Sequence, residues 1–163
     1  MVEPQLPPLV EFGGDWPSYE DELYSIYMDE IVNGGLTFQN LPISCQYRPP
    51  YKDKHFGFWH VITEGPEEGS RTPDFRRCER IRWIPWMVWN ATKDSRINWW
   101  ENKRGSDTHI VIWLVDDDLD ESFAVILAKR SEYLLLKSAY CVKGHRKETF
   151  KRERDQYKKA NKG

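Results

Sequence analysis

Apolar residues recur at helical spacing early in the chain and in alternating or continuous runs later. The segment 17–35 carries the helical pattern, with apolar side chains at Leu23, Ile26, Tyr27 and Ile31. Ser18 precedes Asp21 by three residues, which is the capping-box pattern of a helix start. The Asn-Gly-Gly sequence at 33–35 allows positive φ and predicts the helix end. We therefore expect one amphipathic helix in this segment.

Two short strands are predicted next. Residues 41–49 alternate apolar and polar side chains, and residues 55–63 form a second run rich in β-forming residues. Alternation along the second run would place His60 on one face together with Phe56, Phe58 and Ile62.

A helical pattern returns at 71–92. Thr72 is the predicted cap and Pro73 the first helical position, where proline is well tolerated. Pro85 lies inside the pattern and predicts a kink or two short helices, because proline disrupts a helix interior.

Three apolar runs complete the pattern, at 107–115, 121–130 and 132–142. The short polar links at 116–120 and Ser131 predict an antiparallel meander. Helices followed by strands favour an α+β fold, in which N-terminal helices pack on an antiparallel sheet with a C-terminal three-stranded meander.

The same pattern predicts the domain organisation. Residues 1–17 are rich in proline and glycine and are predicted to be an irregular arm. Residues 18–145 are predicted to form a single α+β domain. Residues 146–163 are predicted to form a basic C-terminal tail or helix.

Charge is unevenly distributed, although the formal net charge is only −2. No Lys or Arg precedes Arg48, and the segment before it is acidic, whereas basic residues dominate from Lys137 onward. This separation indicates intramolecular steering or one face that meets an anionic partner.

Other features of the composition predict the cellular setting. Three cysteines without regular spacing are typical of a reduced, cytosolic protein. No leader pattern follows Met1, and no apolar run approaches the roughly 20 residues that span a bilayer. We expect a cytoplasmic protein that does not enter a membrane.

Histidine and arginine residues are the first candidates for chemistry. His60 has two interpretations: a general base or acid, or a buried structural histidine. Within the predicted folded body, the densest basic segment contains Arg71, Arg76, Arg77, Arg80 and Arg82, close to Trp83. These residues could bind phosphates and stack a base, or could form a solvated face paired with the acidic front. Arg80 stands out because its neighbour Ile81 is apolar.

Two later segments add candidates. Lys103 lies in the segment 99–106, which is interpreted as a helix end and loop or as a binding lip. In the last predicted strand, alternation places Ser138 and Tyr140 on one face and Lys137 on the other. The two hydroxyls could orient a phosphate or a ribose, or Tyr140 could be a packed ring whose hydroxyl reaches the surface.

The sequence contains none of the common cofactor motifs. Pairs of the Cys-x-x-Cys or His-x-x-x-His type, a glycine-rich phosphate loop and a Gly-x-Ser-x-Gly elbow do not occur. We therefore expect neither a metal ion nor another cofactor.

The order of elements and the Ser138-Ala139-Tyr140 motif resemble a nuclease superfamily. That superfamily groups barnase, EndoU, colicin-type tRNases and RelE, and the resemblance is to its prophage-associated branch, over 35–142. It implies metal-independent RNA cleavage by 2′-hydroxyl attack on the adjacent phosphate. His60 would be base or acid, Arg80 or Arg77 the phosphate clamp, and Ser138 and Tyr140 would orient the substrate. Cys141 stands where the family commonly has proline, and the pattern offers no second well-placed histidine.

Three functional hypotheses follow. The first is a metal-independent endoribonuclease of prophage or toxin type, with RNA as substrate, Arg71, Arg76, Arg77, Trp83, Lys103 and Lys137 as substrate-binding residues, and a possible inhibitor or partner protein. The second is a non-catalytic nucleic-acid-binding module that uses the arginine- and tryptophan-rich segment and the basic tail. The third is a regulatory or protein-interaction factor that docks through exposed tryptophans, of which the chain has eight in total.

Overall fold

Five α-helices and eight strands make up the structure, a computed structural model that describes residues 5–161. The helices are α1 (Trp16–Ile26), α2 (Phe56–Ile62), α3 (Phe75–Glu79), α4 (Trp83–Asn90) and α5 (His145–Ala160). The strands are β1 (Thr37–Phe38), β2 (Leu41–Cys45), β3 (Thr63–Glu64), β4 (Thr72–Pro73), β5 (Ile97–Arg104), β6 (Asp107–Asp116), β7 (Glu121–Lys129) and β8 (Leu134–Cys141). A π-helical turn, Tyr27–Val32, continues α1, and a 3₁₀ turn, Glu68–Ser70, lies between β3 and β4.

The main sheet confirms the predicted α+β class. Its six strands lie in the order β1-β2-β8-β7-β6-β5, while β3 and β4 form a separate pair. Strands β5 to β8 form an antiparallel meander, which is one strand longer than predicted. The sheet is mixed rather than wholly antiparallel, because β2 runs parallel to β8. The extra strand β5 includes most of the segment 99–106, so the predicted helix end is wrong there.

Each face of the sheet has its own hydrophobic core. The face that carries Ile112 and Val125 packs against helices α1 to α4 in the larger core. The opposite face carries Trp100 and Trp113, which enclose Phe150 of α5. Phe150 is fully buried and Tyr157 packs against Trp99, so aromatic residues hold the basic C-terminal helix on the sheet. Residues 1–4 of the predicted arm and residues 162–163 of the predicted tail lie outside the described residues.

The strand predicted at 55–63 is wrong, because this segment contains helix α2. Phe58, Val61 and Ile62 are buried at the i, i+3 and i+4 spacing of one helix face. A short apolar run fits a strand and a buried helix equally well, and here packing against the core selects the helix. The predicted common face of His60 with Phe58 and Ile62 is therefore also wrong, and His60 projects away from the core.

Helix boundaries in the front half also differ from the predictions. Asp15, rather than Ser18, caps α1 by accepting a hydrogen bond from the backbone N–H of Ser18. Asp74, rather than Thr72, caps helix α3. The predicted pair of short helices is present, but the break lies at residues 80–82. Pro85 lies in the first turn of α4, where its missing N–H leaves no bond unmade.

Within the described part of the chain, no helix combines the length and the apolar character needed to cross a membrane.

Candidate active site

The candidate site lies beside the second half of β8, which still pairs with β7 but no longer with β2. Strand β2 pairs with β8 only from Leu134 to Leu136. Helices α2 and α3 both pack against β8. Side chains of α2 can therefore reach the same cleft as side chains of the sheet.

A β-bulge at Lys137 changes which residues share a face of β8. Ile126 of β7 pairs with Ser138, but the next residue, Leu127, pairs with Leu136, so Lys137 is the extra residue. Lys137 lines the same cleft as Ser138 and Tyr140. The predicted grouping of Ser138 with Tyr140 is therefore found, whereas the predicted opposite orientation of Lys137 is wrong.

These elements enclose a cleft of about 350 Å³, which we call the central cleft. Two imidazoles, three permanent cations, two hydroxyls and two apolar side chains line it: His60, His109, Arg104, Lys137, Arg146, Ser138, Tyr140, Val111 and Ile126. Helix α2, strands β5, β6 and β8, and helix α5 each contribute at least one polar residue. Segments far apart in sequence thus place acid–base groups and positive charge in one cleft.

His60 is the contribution of α2, and a carboxylate holds it. Its Nε2 atom lies 2.9 Å from Oε2 of Glu68 in the 3₁₀ turn. On its other side the ring packs against Phe56, with ring centroids 4.4 Å apart. The side chain is only 20% exposed, whereas that of Glu68 is 63% exposed. A carboxylate on Nε2 fixes the ring orientation and favours a proton on that nitrogen.

His109 is a second imidazole in the central cleft. Its Nε2 atom lies 3.4 Å from Oδ2 of Asp107 on the same strand. Burial lowers the pKa of His109 below its usual value, and the charges of Arg104 and Lys137 lower it further, while Asp107 acts in the opposite direction. The neutral ring is therefore the favoured form, which is the form that accepts a proton.

Cations surround the two rings. Arg104 makes an ion pair with Glu153 of α5 at 3.4 Å. Among the described residues, no carboxylate lies within ion-pair distance of Lys137 or Arg146. Positive charge is thus left uncompensated beside His60 and His109, and an anion such as a phosphate would compensate it.

Tyr140 separates the central cleft from a second one. Burial raises the pKa of its hydroxyl, so the group stays protonated near neutral pH and can donate a hydrogen bond. The guanidinium of Arg77 lies over its ring, 5.7 Å from the centroid. Tyr140 and Arg146 line both clefts.

The second cleft, of about 420 Å³, is called the basic cleft. Its lining combines four basic side chains with two acidic ones: Arg76, Arg77, Lys143, Arg146, Glu64 and Asp74, together with Tyr140 and Cys141. Arg76 and Lys143 are exposed, so they are available to a partner in solution.

Two of the predicted arginines are engaged within the protein. Arg77 donates to the carbonyl oxygens of Thr63 and His60, at 2.6 and 3.3 Å, and thereby fixes the end of α2. Arg71 donates to the Thr63 and Gly65 carbonyls, both at 2.6 Å. These two guanidinium groups hold the loop that carries Glu68 in place.

Arg80, Trp83 and Lys103 do not line either cleft, contrary to prediction. Arg80 is buried and forms a two-pronged ion pair with Glu121, at 3.1 and 2.8 Å. Trp83 is a core residue whose indole N–H donates to the Pro7 carbonyl at 2.8 Å. Lys103 is exposed on β5 and alternates with Arg104, so it projects from the opposite face.

A third cleft, of about 340 Å³, adjoins His60 on the side away from β6. It is called the aromatic cleft because rings and prolines dominate its lining: Pro49, Pro50, Tyr51, Phe56, Trp59, His60, Thr63, Glu68, Gly69 and Arg71. Both His60 and Glu68 line it. The His60–Glu68 pair therefore stands at the border between the aromatic and the central clefts.

In the range 5–161, no group of three or more His, Cys, Asp or Glu side chains is arranged to hold a metal ion.

Sequence reasoning missed Glu68, His109, Arg104 and Arg146. Glu68 lies in the 3₁₀ turn beyond α2 and β3, so only the fold of this loop brings it to His60. For His109 a signal did exist: alternation with Val111 and Trp113 places it on one face of its strand. The pattern could not show that His60 lines the same cleft.

Compared with protein-family models, with curated proteins and with solved structures, the chain matches none of them. The resemblance to the nuclease superfamily therefore stays a prediction.

Proposed function

We propose that this chain is an endoribonuclease that cleaves RNA by attack of a ribose 2′-hydroxyl on the adjacent phosphate, without a metal ion. One observation carries the proposal: the central cleft is lined by two imidazoles and by Lys137, Arg104 and Arg146. Metal-free phosphodiester cleavage needs a proton acceptor, a proton donor and a cation beside the phosphate. The lining contains a candidate for each of these roles.

In the proposed reaction, His109 takes the proton of the 2′-hydroxyl as general base. The O2′ atom forms a bond to phosphorus, and the bond from phosphorus to the 5′ oxygen of the next nucleotide breaks. His60 gives its proton to that leaving oxygen as general acid. The products are a 2′,3′-cyclic phosphate and a free 5′-hydroxyl, and the two histidines end with their protonation states exchanged.

The assignment of roles follows from the surroundings of each ring. His109 is kept neutral by burial and by two neighbouring cations, so it is the acceptor. His60 is the other imidazole of the cleft and is assigned as the donor, with its ring held in place by a carboxylate 2.9 Å away.

The remaining residues of the cleft act on the phosphate. Lys137 and Arg146 lie in the lining without a carboxylate partner among the described residues, so they would stabilise the charge that develops on the non-bridging oxygens. The hydroxyls of Ser138 and Tyr140 would orient the phosphate as hydrogen-bond donors. Arg80, a phosphate clamp in the family resemblance, is replaced in this role by Lys137.

A DNA oligonucleotide with a single internal ribonucleotide tests the proposal, because it offers one 2′-hydroxyl. We expect cleavage only at the bond 3′ of the ribonucleotide, in EDTA, with a 2′,3′-cyclic phosphate product identified by mass spectrometry. The all-DNA oligonucleotide should stay intact. Cleavage of both substrates at equal rates would contradict 2′-hydroxyl attack.

A second candidate is a nucleic-acid-binding module without catalysis, and the exposed cations of the basic cleft favour it. Affinity for RNA would then fall steeply with added salt, because bound phosphates release counterions. The third hypothesis, docking through exposed tryptophans, has less support, since Trp89 is the only tryptophan in the exposed class, at 48%.

A further inference from the structure

We propose that the aromatic cleft binds one unpaired nucleobase of single-stranded RNA and holds the nucleotide next to the scissile phosphate. The inference rests on the proposed ribonuclease function, because His60 lines both this cleft and the central cleft. It adds a substrate class: RNA whose bases are free to leave a stack, rather than a duplex.

The lining has the character of a base-stacking site. Tyr51 is 60% exposed, although it is a large aromatic residue. Its ring and that of Trp59 lie 5.3 Å apart at an angle of 72°, and they form two walls of the cleft together with Pro49 and Pro50. The volume of about 340 Å³ falls at the lower end of small-molecule sites, which measure about 300 to 1,000 Å³.

The backbone that carries Tyr51 is held in a tight turn. Tyr51 and Lys54 exchange two backbone hydrogen bonds of 3.0 Å across a two-residue turn. Lys52 and Asp53 adopt the positive φ values of 51° and 61° that such a tight turn requires. Because the backbone is already ordered, stacking of this ring on a ligand costs only the conformational entropy of the side chain.

Two further contacts attach this turn to the body of the protein. The indole N–H of Trp59 donates to the Tyr51 carbonyl at 2.9 Å. On the other side, the ammonium of Lys54 lies 3.0 Å from Glu20 and 3.3 Å from Asp21 of helix α1. The turn is therefore anchored to α1 and to α2, the helix that carries His60.

The polar edge of the cleft indicates stacking rather than base-specific readout. All three nitrogens of the Arg71 guanidinium donate to Thr63 or Gly65 within the loop. Glu68 is engaged by His60. Because these groups already have partners, the site would accept any of the four bases, as sites that rely on aromatic stacking do.

The position of the cleft favours a nucleotide over an apolar peptide. It adjoins the uncompensated cations of the central cleft, so a single strand could place its base against Tyr51 and its phosphate beside Lys137. A proline-rich peptide would use the aromatic wall but would have no use for these cations.

The test measures binding of a fluorescent, non-cleavable oligonucleotide, single-stranded 2′-O-methyl RNA, to the full chain. An abasic nucleotide is moved through it one position at a time. We expect one position where loss of the base weakens binding about 5- to 100-fold, the range of one stacking contact. Tyr51→Leu should weaken binding of the intact strand equally and abolish the abasic effect. Tyr133→Leu, a change at another exposed tyrosine that lines none of the three clefts, should bind as the wild type does.

Two results would overturn the inference. The first is equal affinity of wild type and Tyr51→Leu with no sensitive abasic position. The second is binding of a polyproline peptide, detected by tryptophan fluorescence that changes in wild type but not in Trp59→Phe, without binding of the oligonucleotide. Because the oligonucleotide cannot be cleaved, this test is independent of catalysis. Base-dependent binding by a protein that fails to cut the single-ribonucleotide substrate would support the base site and remove the ribonuclease function.

Discussion

The Nε2 atom of His60 lies 2.9 Å from Oε2 of Glu68, although the two residues belong to different elements. The contact depends on the loop after α2, which pairs β3 with β4 and is held by Arg71. Glu68 is exposed enough to meet solvent, whereas the imidazole is mostly covered. In the proposed reaction Glu68 is a positioning residue that orients the ring and compensates its charge.

Replacing Glu68 tests this relationship. We expect Glu68→Gln to lower kcat about 10- to 100-fold and to leave KM nearly unchanged, because the imidazolium loses its counter-charge but the phosphate contacts remain. Steady-state kinetics on the single-ribonucleotide substrate provides both constants. Glu67→Gln is the matched control, since Glu67 is exposed and its side chain makes no ion pair among the described residues. An equal loss in both variants would mean a general charge effect.

Lys137 provides the second prediction. Lys137→Ala should lower kcat/KM about 100- to 1,000-fold, the usual loss when one charge-stabilising donor is removed. The melting temperature should stay within a few degrees of wild type, because Lys137 makes no ion pair among the described residues. Lys93→Ala removes an exposed lysine in the turn after α4 and should leave kcat/KM unchanged. Full activity of Lys137→Ala would contradict its assigned role.

Arg80 should behave as a structural residue. Arg80→Ala leaves the Glu121 carboxylate without its partner in a mostly covered site, so we expect a loss of about 3 kcal/mol in the free energy of unfolding. Urea unfolding measures this loss. Arg76→Ala, at an exposed position four residues earlier, should have little effect on stability. If Arg80→Ala is fully stable but inactive, Arg80 is a catalytic residue after all.

The pH dependence of stability should reveal His109. Its pKa is lowered in the folded state, whereas an unfolded histidine titrates near about 6.5. Below about pH 6.5 the unfolded chain therefore binds more protons than the folded chain. The free energy of unfolding then decreases as the pH is lowered, until the pH lies below the pKa of the folded state. The pKa of His55 is also lowered by burial and adds to this effect.

The contribution of His109 can be separated by comparison. We expect His109→Gln to make the decline in unfolding free energy between pH 7 and pH 5 shallower than in wild type. In NMR titrations the His109 ring should titrate below about 6.5, and it should titrate higher in Arg104→Gln, because Arg104 lowers the pKa. A ring that titrates above 6.5 in wild type would remove His109 as the neutral base.

The meander could be predicted from sequence because each strand carries a long apolar run between short polar links. Strands β6, β7 and β8 lie close to their predicted positions. Helix α2 could not be distinguished from a strand, because seven residues are too few to separate the two periods. The α+β class depends on helices that precede the C-terminal meander, so it is predicted correctly although α2 is mistaken for a strand.

The site was only partly predictable, for physical reasons that differ from residue to residue. His60, Ser138 and Tyr140 were selected by residue type and lie in one cleft. Lys137 was placed on the wrong face because a bulge shifts the alternation, and its position depends on how two strands pair. For Arg80, an apolar neighbour indicated a special environment, but the partner that explains it, Glu121, is distant in sequence.

Cleavage of total cellular RNA in EDTA tests the central claim most directly, with wild type, His60→Ala and His145→Ala compared. His145 is an exposed histidine that lines none of the three clefts, so its replacement controls for loss of an imidazole. The account predicts that wild type and His145→Ala degrade the RNA, while His60→Ala is at least about 100-fold slower and melts at the wild-type temperature. Intact RNA with wild type, or equal rates for His60→Ala and wild type, would contradict it.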